Sequence, residues 1–185
     1  GFFLSTASGA SWTEINSGLT NASVQELAVS GTSLFAGVYG DGVYLSSNNG
    51  TTWRKVSSGL TNAYVSSLAV LGTNLFAGTG DGVFRSTDNG ASWSAVNTGM
   101  REIWVRSLAV SGTNLFAGTR RNGVFLSTDN GTSWTPINSG MTDGNVRSLA
   151  VSGTSLFAGV YADGVFHSTD NGTSWSQSAL VNTDV

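Results

Sequence analysis

Residues 127–134 read Ser-Thr-Asp-Asn-Gly-Thr-Ser-Trp, and residues 168–175 repeat the same eight letters. Looser versions of this phrase end at Trp12, Trp53 and Trp93, so five tryptophans close it, at spacings of 41, 40, 41 and 41 residues. A second phrase recurs between them, as in Ser107-Leu108-Ala109-Val110-Ser111-Gly112-Thr113-Asn114-Leu115-Phe116-Ala117-Gly118. A constant period of this length marks a stack of equal supersecondary units, none able to bury its own apolar faces alone.

Each unit holds four strand-length runs. In the unit around Trp134 they are Val105 to Val110 (a), Asn114 to Thr119 (b), Gly123 to Thr128 (c) and Ser133 to Asn138 (d). All are rich in Val, Leu, Phe or Thr and bounded by Gly, Asn or Asp, and none has helical spacing or length. Apolar side chains fall on both parities, as at Leu115 and Phe116 or Val124 and Phe125. A sheet with one wet face would alternate, so these sheets are covered on both sides. Four strands per period, stacked face to face, predict an all-β fold: a β-propeller of four-stranded antiparallel blades. A β-solenoid is the alternative, but its coils are shorter than this period.

The strand count is uneven. Phe2 to Thr6 and Ser11 to Thr13 supply c and d with no a or b before them, and only Ala179 to Val185 follow the last d. The expected division is a half-blade at 1–18, full blades at 19–59, 60–99, 100–140 and 141–180, and a tail at 181–185. Unpaired strand edges favour partners, so the half-blade is expected to be completed by further polypeptide or by another chain, ahead of a ring with one thin blade. The chain starts at Gly1 rather than Met and shows no signal peptide, which reads as a processed or excised piece.

Composition narrows the function classes. Hydrophobic residues make up 39% and charged residues only 10%, with 25 Gly and one Pro. A neutral surface of hydroxyls and amides on short strands and tight turns follows. Net charge of −3 with eight dispersed cationic residues argues against nucleic acid, which needs a basic stripe. There is no Cys, hence no disulfide framework or thiolate metal site, and no apolar run long enough to span a bilayer.

The recurring turn has its own chemistry. An Asp can accept hydrogen bonds from backbone N–H groups further along, and Asn-Gly supplies the positive φ of a tight turn. The tryptophan then packs between sheets. The phrase Ser-x-Asp-x-Gly-x-x-Trp resembles the Asp box, or BNR repeat, of sialidases, sortilin-type receptors, xyloglucan hydrolases and the photosystem II assembly propeller. It is complete at Ser86, Asp88, Gly90 and Trp93; at Ser127, Asp129, Gly131 and Trp134; and at Ser168, Asp170, Gly172 and Trp175. Asn48 and Ala7 replace the Asp in the other two copies. These residues read as structural: one carboxylate per turn is too few for a calcium cage.

Where the blades differ is where a specific surface could be built. The positions leading into strand a read Ser23-Val24-Gln25, Tyr64-Val65-Ser66, Trp104-Val105-Arg106 and Asn145-Val146-Arg147. The b–c connections read Tyr39-Gly40-Asp41, Gly80-Asp81, Arg120-Arg121-Asn122 and Tyr161-Ala162-Asp163. In an up-and-down blade the d–a and b–c loops share one face of the disk, opposite the Asp-box turns. The candidate ligand-binding residues are therefore Tyr39, Tyr64, Trp104 and Tyr161 as platforms, with Arg106, Arg120, Arg121 and Arg147 as donors. The bland alternative is loop drift, with Trp104 and Tyr64 packing on neighbouring blades. The single histidine, His167, stands where other blades have Leu45, Arg85 or Leu126 and has no second ligand beside it. Glycosylation sequons begin at Asn21, Asn49, Asn130 and Asn171; the last three lie inside the repeated turn and read as turn chemistry.

No catalytic set is expected. The resemblance to sialidases would require an Arg cluster, a Tyr–Glu pair and an acid, yet only Glu14, Glu26 and Glu102 are present, and the sialidase Arg-Ile-Pro phrase is missing. Asp41, Asp81 and Asp163 recur at equivalent positions, which spaces carboxylates around a ring instead of pairing them across a cleft. The expectation is a non-enzymatic binding or scaffolding module on a bacterial cell surface or outside the cell. Its partner would be a protein or a glycan, with self-association through the unfinished blade, no cofactor and no metal, and no membrane insertion. A carbohydrate-binding propeller is the alternative, and a sialidase-like glycoside hydrolase stands third.

Overall fold

The computed structural model describes residues 1–20, 23–101 and 104–178. The sequon at Asn21, Glu102 and the tail 181–185 lie outside the described residues. All regular elements are strands. A two-stranded half-blade of β1 (Phe3–Leu4) and β2 (Thr13–Glu14) opens the chain. Blade one follows with β3 (Val24–Ser30), β4 (Ser33–Val38), β5 (Gly42–Ser46) and β6 (Arg54–Lys55). Blade two has β7 (Val65–Leu71), β8 (Asn74–Thr79), β9 (Gly82–Ser86) and β10 (Ser94–Ala95). Blade three has β11 (Val105–Ser111), β12 (Asn114–Thr119), β13 (Val124–Ser127) and β14 (Thr135–Pro136). Blade four has β15 (Val146–Ser152), β16 (Ser155–Val160), β17 (Gly164–Ser168) and β18 (Ser176–Gln177). Each of these four sheets is an antiparallel meander in chain order.

The outermost strand is shorter than the sequence predicts. The apolar run Ser133 to Asn138 yields only Thr135 and Pro136 as strand, because Trp134 turns its N–H away to Thr98 O on the preceding blade, at 2.8 Å. Pro136 has no N–H to give, which suits the outermost strand of a sheet.

The hydrophobic core lies in the seams between blades. Phe35, Val43 and Val56 of blade one pack with Val65, Leu68, Leu75 and Phe84 of blade two, and the grouping recurs at the next two seams. Strand b carries a glycine that receives the following blade. A Cβ on Gly78 would lie 2.7 Å from Val105 Cγ1, and one on Gly118 would lie 2.6 Å from Val146 Cγ1. Backbone bonds finish each seam: the indole Nε1–H of Trp53, Trp93, Trp134 and Trp175 donates to the carbonyl of Ile15, Val56, Val96 and Ile137, at 2.7–2.9 Å. These four tryptophans are buried to 4–6% exposure.

The turn between c and d is closed as its residues predict. Asp129 Oδ1 accepts from Ser127 Oγ and Ser133 N–H, Oδ2 accepts from Ser133 Oγ, and Ser127 Oγ accepts from Gly131 N–H. Asp88 and Asp170 repeat the pattern. Asn48 reproduces it with an amide, accepting from Ser46 and Thr52 N–H while donating to Thr52 Oγ1.

The stack has two open ends. Inner strands pack in chain order, β3 on β7, β7 on β11 and β11 on β15, and β15 has no comparable packing on β3. Leu27 of β3 is 51% exposed, whereas its counterparts Leu68 and Leu108 are 6% and 8%; Val29 is 62% exposed, whereas its counterparts Val70 and Val110 are partly buried. Trp12 is 62% exposed. At the far end a Cβ on Gly159 would meet only the Ser148 hydroxyl of its own sheet.

Two predictions follow from the seams and turns. Trp134→Ala should cost about 3–5 kcal/mol in chemical denaturation, while Trp12→Ala should move stability by no more than about 0.5 kcal/mol; equal losses would contradict an open first end. Serine hydroxyl and backbone N–H bonds hold Asp88, Asp129 and Asp170 at about 2, below the ordinary 3.8. A depressed carboxyl stabilises when ionised, so this contribution is present above pH 4 and lost as pH falls from about 4 to 2. Replacing all three by Asn, the residue already at position 48, should flatten that acid limb in thermal melts.

Candidate recognition face

The face opposite the Asp-bearing turns is assembled by hydrogen bonds between its loops. Within a blade, the b–c loop hangs on the segment leading into strand a: Tyr39 N–H donates to Ser23 O, Arg120 N–H to Trp104 O and Tyr161 N–H to Asn145 O. Between blades, Gly42 N–H donates to Ala63 O and Gly123 N–H to Gly144 O. The two loop sets that vary in sequence are thereby brought together, each blade reaching the next.

A β-bulge recurs where strand a begins. The register shifts between Val24 and Glu26, Val65 and Ser67, Val105 and Ser107, and Val146 and Ser148. Bulges re-aim the extra side chain, here Gln25, Ser66, Arg106 and Arg147. Ser66 stays within the frame, its Oγ donating to Gly78 O and to Val105 O of the next blade. Arg106 and Arg147 instead bring charge to the same position of neighbouring blades.

These arginines meet the aromatic candidates. The Arg120 guanidinium lies 4.7 Å from the centre of the Trp104 ring, and that of Arg147 lies 4.7 Å from the centre of Tyr161. Trp104 and Tyr161 thus each have one face covered by a cation instead of standing as bare platforms. Arg106 sits near both stacks: burial, then the charges of Arg147 and Arg120, push its pKa down. Among the described residues no carboxylate pairs with any of the three; the ion pair present is Lys55 with Asp41, at 2.7 Å. Arg121 is exposed beside them. On blades one and two, Tyr39 and Tyr64 pack ring to ring at 4.9 Å and a 56° tilt, and both remain about half exposed.

The recurring loop aspartates act as braces. Asp41 accepts from Thr20 Oγ1, Tyr44 OH and Lys55 Nζ. Burial pushes its carboxyl up, but these bonds, Lys55 foremost, outweigh that and hold it below the usual range. Asp163 accepts from Thr142 Oγ1 in the same way. Among the described residues no three His, Cys, Asp or Glu side chains gather as a metal site, and no helix is long and apolar enough to cross a membrane. His167 is stacked on Phe157, with ring centres 4.7 Å apart.

One concavity escaped the sequence reading. An open groove of about 400 Å³ is lined by Gly99, Arg101, Asn122, Phe125, Pro136 and Asn138. Its signal was in the variation between blades, since Asn122 and Pro136 each replace another residue found in the sister blades. Neither is aromatic or cationic, which is why the search for ring platforms and charged donors passed over them.

Comparison with known proteins supports the architecture. An ancestral GH74 enzyme superposes with a TM-score of 0.75 at 24% identity, over 92% of this chain and 26% of its own. The extracellular domain of a putative one-component system from B. thetaiotaomicron gives 0.71 at 18% identity, over 87% and 23%. YCF48 bound to D1 peptide gives 0.69 at 15% identity, over 86% and 56%. The chain thus spans about a quarter of the first two and about half of the third, and at these identities the likeness is one of fold. No curated protein matches it. The DUF6242 beta propeller domain matches residues 2–103 and again 83–185. Both matches together cover nearly the whole sequence, and the chain belongs to the DUF6242 β-propeller domain family.

Proposed function

We propose that this propeller is a non-enzymatic recognition and scaffolding module of a bacterial cell surface or secreted protein, and that its d–a and b–c loops form the binding face. The carrying observation is the cluster of Arg106, Arg120 and Arg147 with Trp104 and Tyr161, built from two adjacent blades and lacking an internal carboxylate among the described residues. Guanidinium groups placed over aromatic rings and unpaired with carboxylates suit bidentate contact with carboxylates, amides or hydroxyls of a partner. The seams supply rigidity, so the loops are positioned without a cost in ordering at binding.

The turns that stiffen the opposite face are, in this reading, Asp boxes with a purely structural role. Two neighbours favour a partner outside the cell or a peptide: one is an extracellular domain, and YCF48 carries a bound peptide. The GH74 likeness favours the second reading, a carbohydrate-binding propeller, with the exposed Tyr39–Tyr64 pair as the sugar platform. Hydrolysis is disfavoured by what the carboxylates do: Asp41 and Asp163 are bonded to neighbouring side chains at equivalent loop positions.

The test is a screen of the purified chain on dense glycan and peptide arrays, followed by affinity measurement on any hit. Arg147→Ala with Trp104→Ala should weaken a hit bound at the cluster at least tenfold, about 1.4 kcal/mol, and Tyr64→Ala should do so for a sugar on the tyrosine pair. Silence on the glycan array would remove the carbohydrate reading. Hits that ignore all three substitutions would remove the loop face.

A further inference from the structure

Eight Lys and Arg residues stand against eleven Asp and Glu in this chain, yet four of the arginines gather on one part of the loop face. The repeat explains how they meet. At the bulge of blade two, Ser66 Oγ donates across the seam to Val105 O at 2.6 Å, so the bulge positions of consecutive blades lie side by side. Arg106 and Arg147 fill the next consecutive pair. The loop that carries Arg120 and Arg121 leans on blade four as well. Gly123 N–H donates to Gly144 O at 2.8 Å, and a Cβ on Gly144 would lie 2.1 Å from Arg121 O.

Blade three also lacks the carboxylate that its sister blades carry in this loop. Asn122 stands where they have Asp41, Asp81 and Asp163. The loop acids of blade four are already engaged, Asp143 by the Asn145 N–H and Asp163 by the Thr142 hydroxyl. Stacking on Trp104 and Tyr161 places Arg120 and Arg147 but supplies only the partial negative charge of a ring face. The consequence shows at Arg106, whose pKa is pushed down first by burial and then by repulsion from Arg147 and Arg120. Folding gains nothing from crowding like charges in this way.

We infer that this cluster binds a tetrahedral oxyanion, the phosphate or sulfate group of a partner, with Arg106, Arg120 and Arg147 as its donors. A carboxylate offers two oxygens in one plane, which a single guanidinium fork takes up. A tetrahedral group offers several oxygens pointing apart, and a phosphate carries up to two charges. Guanidiniums that come from two blades and two ring stacks can share such a group. The inference rests on the loop face being the recognition face, and it names the chemical group that this face reads.

Calorimetric titration of the purified chain with inorganic phosphate and with sulfate, at an ionic strength held constant with chloride, tests it. Both anions should bind saturably and acetate far more weakly; the tighter of the two assigns the ester. Arg106→Gln and Arg147→Gln should each weaken the anion about tenfold, the loss of one charge-assisted bond. Arg54→Gln, on the exposed strand β6, should leave binding unchanged. Without anion, Arg106→Gln should melt no lower than the wild type, because it relieves repulsion, whereas loss of an arginine needed for the fold would lower the melting temperature. No saturable binding, acetate binding as tightly, binding that survives both substitutions, or a destabilised Arg106→Gln would each overturn the inference. The titration needs no partner, so the two readings fail separately. Array hits weakened by Arg147→Ala, with no anion binding, would sink this inference alone; anion binding, with array hits that ignore the loop substitutions, would sink the recognition face alone.

Discussion

Everything in this molecule depends on one cross-seam arrangement: a tryptophan ring wedged between consecutive blades with its N–H bonded to a backbone carbonyl of the blade before. The indole serves two needs at once, since it fills the outer part of the seam and its own buried N–H is bonded. Close backbone approach makes it possible. A Cβ on Gly59, Gly99 or Gly140 would come within 2.2–2.3 Å of the carbonyl oxygen of Trp93, Trp134 or Trp175, and each glycine has φ near +90°. The recurrent Gly after Ser or Thr is therefore as much a part of the seam as the tryptophan.

A stack held this way has nearest-neighbour energetics. Among the described residues the core clusters lie along the seams; Phe35, Phe76 and Phe116 each serve one seam. Stability is expected to rise with the number of seams, and a blade at an end to be weaker than one inside. Exposure follows this: β7, with a blade on either side, is mostly buried, whereas β3 and β15 are largely open.

The period, the four strands and the unfinished first blade were legible because each is a local pattern repeated against itself. Comparison of Trp134 with Trp175 in sequence needs no knowledge of contacts. Strand d was overestimated because its apolar run also includes residues such as Trp134 that bond to another blade, and periodicity cannot assign a partner. The loop positions stand out in sequence by their difference between blades, but their pairing does not. Nothing in Arg120 or Arg147 as letters says that each covers a ring, or that both crowd Arg106. Those facts depend on which loop leans on which, and hence on the hydrogen bonds from Arg120 N–H and Tyr161 N–H that fix the b–c loops.

The molecule keeps its stabilising chemistry and its variable chemistry on opposite faces. The turns that carry Asp88, Asp129 and Asp170 close on their own serines and backbone, so their charge is spent internally and the turn can recur unchanged. The loop face shares its backbone bonds and its braces, such as Thr20 with Asp41 and Thr142 with Asp163, while the residue at the bulge position changes from blade to blade. One blade uses that position for a serine tied into the next blade, and two use it for arginine. A bulge costs one irregularity in a strand that seam packing already holds, so its side chain can differ between blades: Ser66 bonds across a seam, whereas Arg147 lies over Tyr161. Such a position lets near-identical blades differ in one side chain while the repeat stays intact.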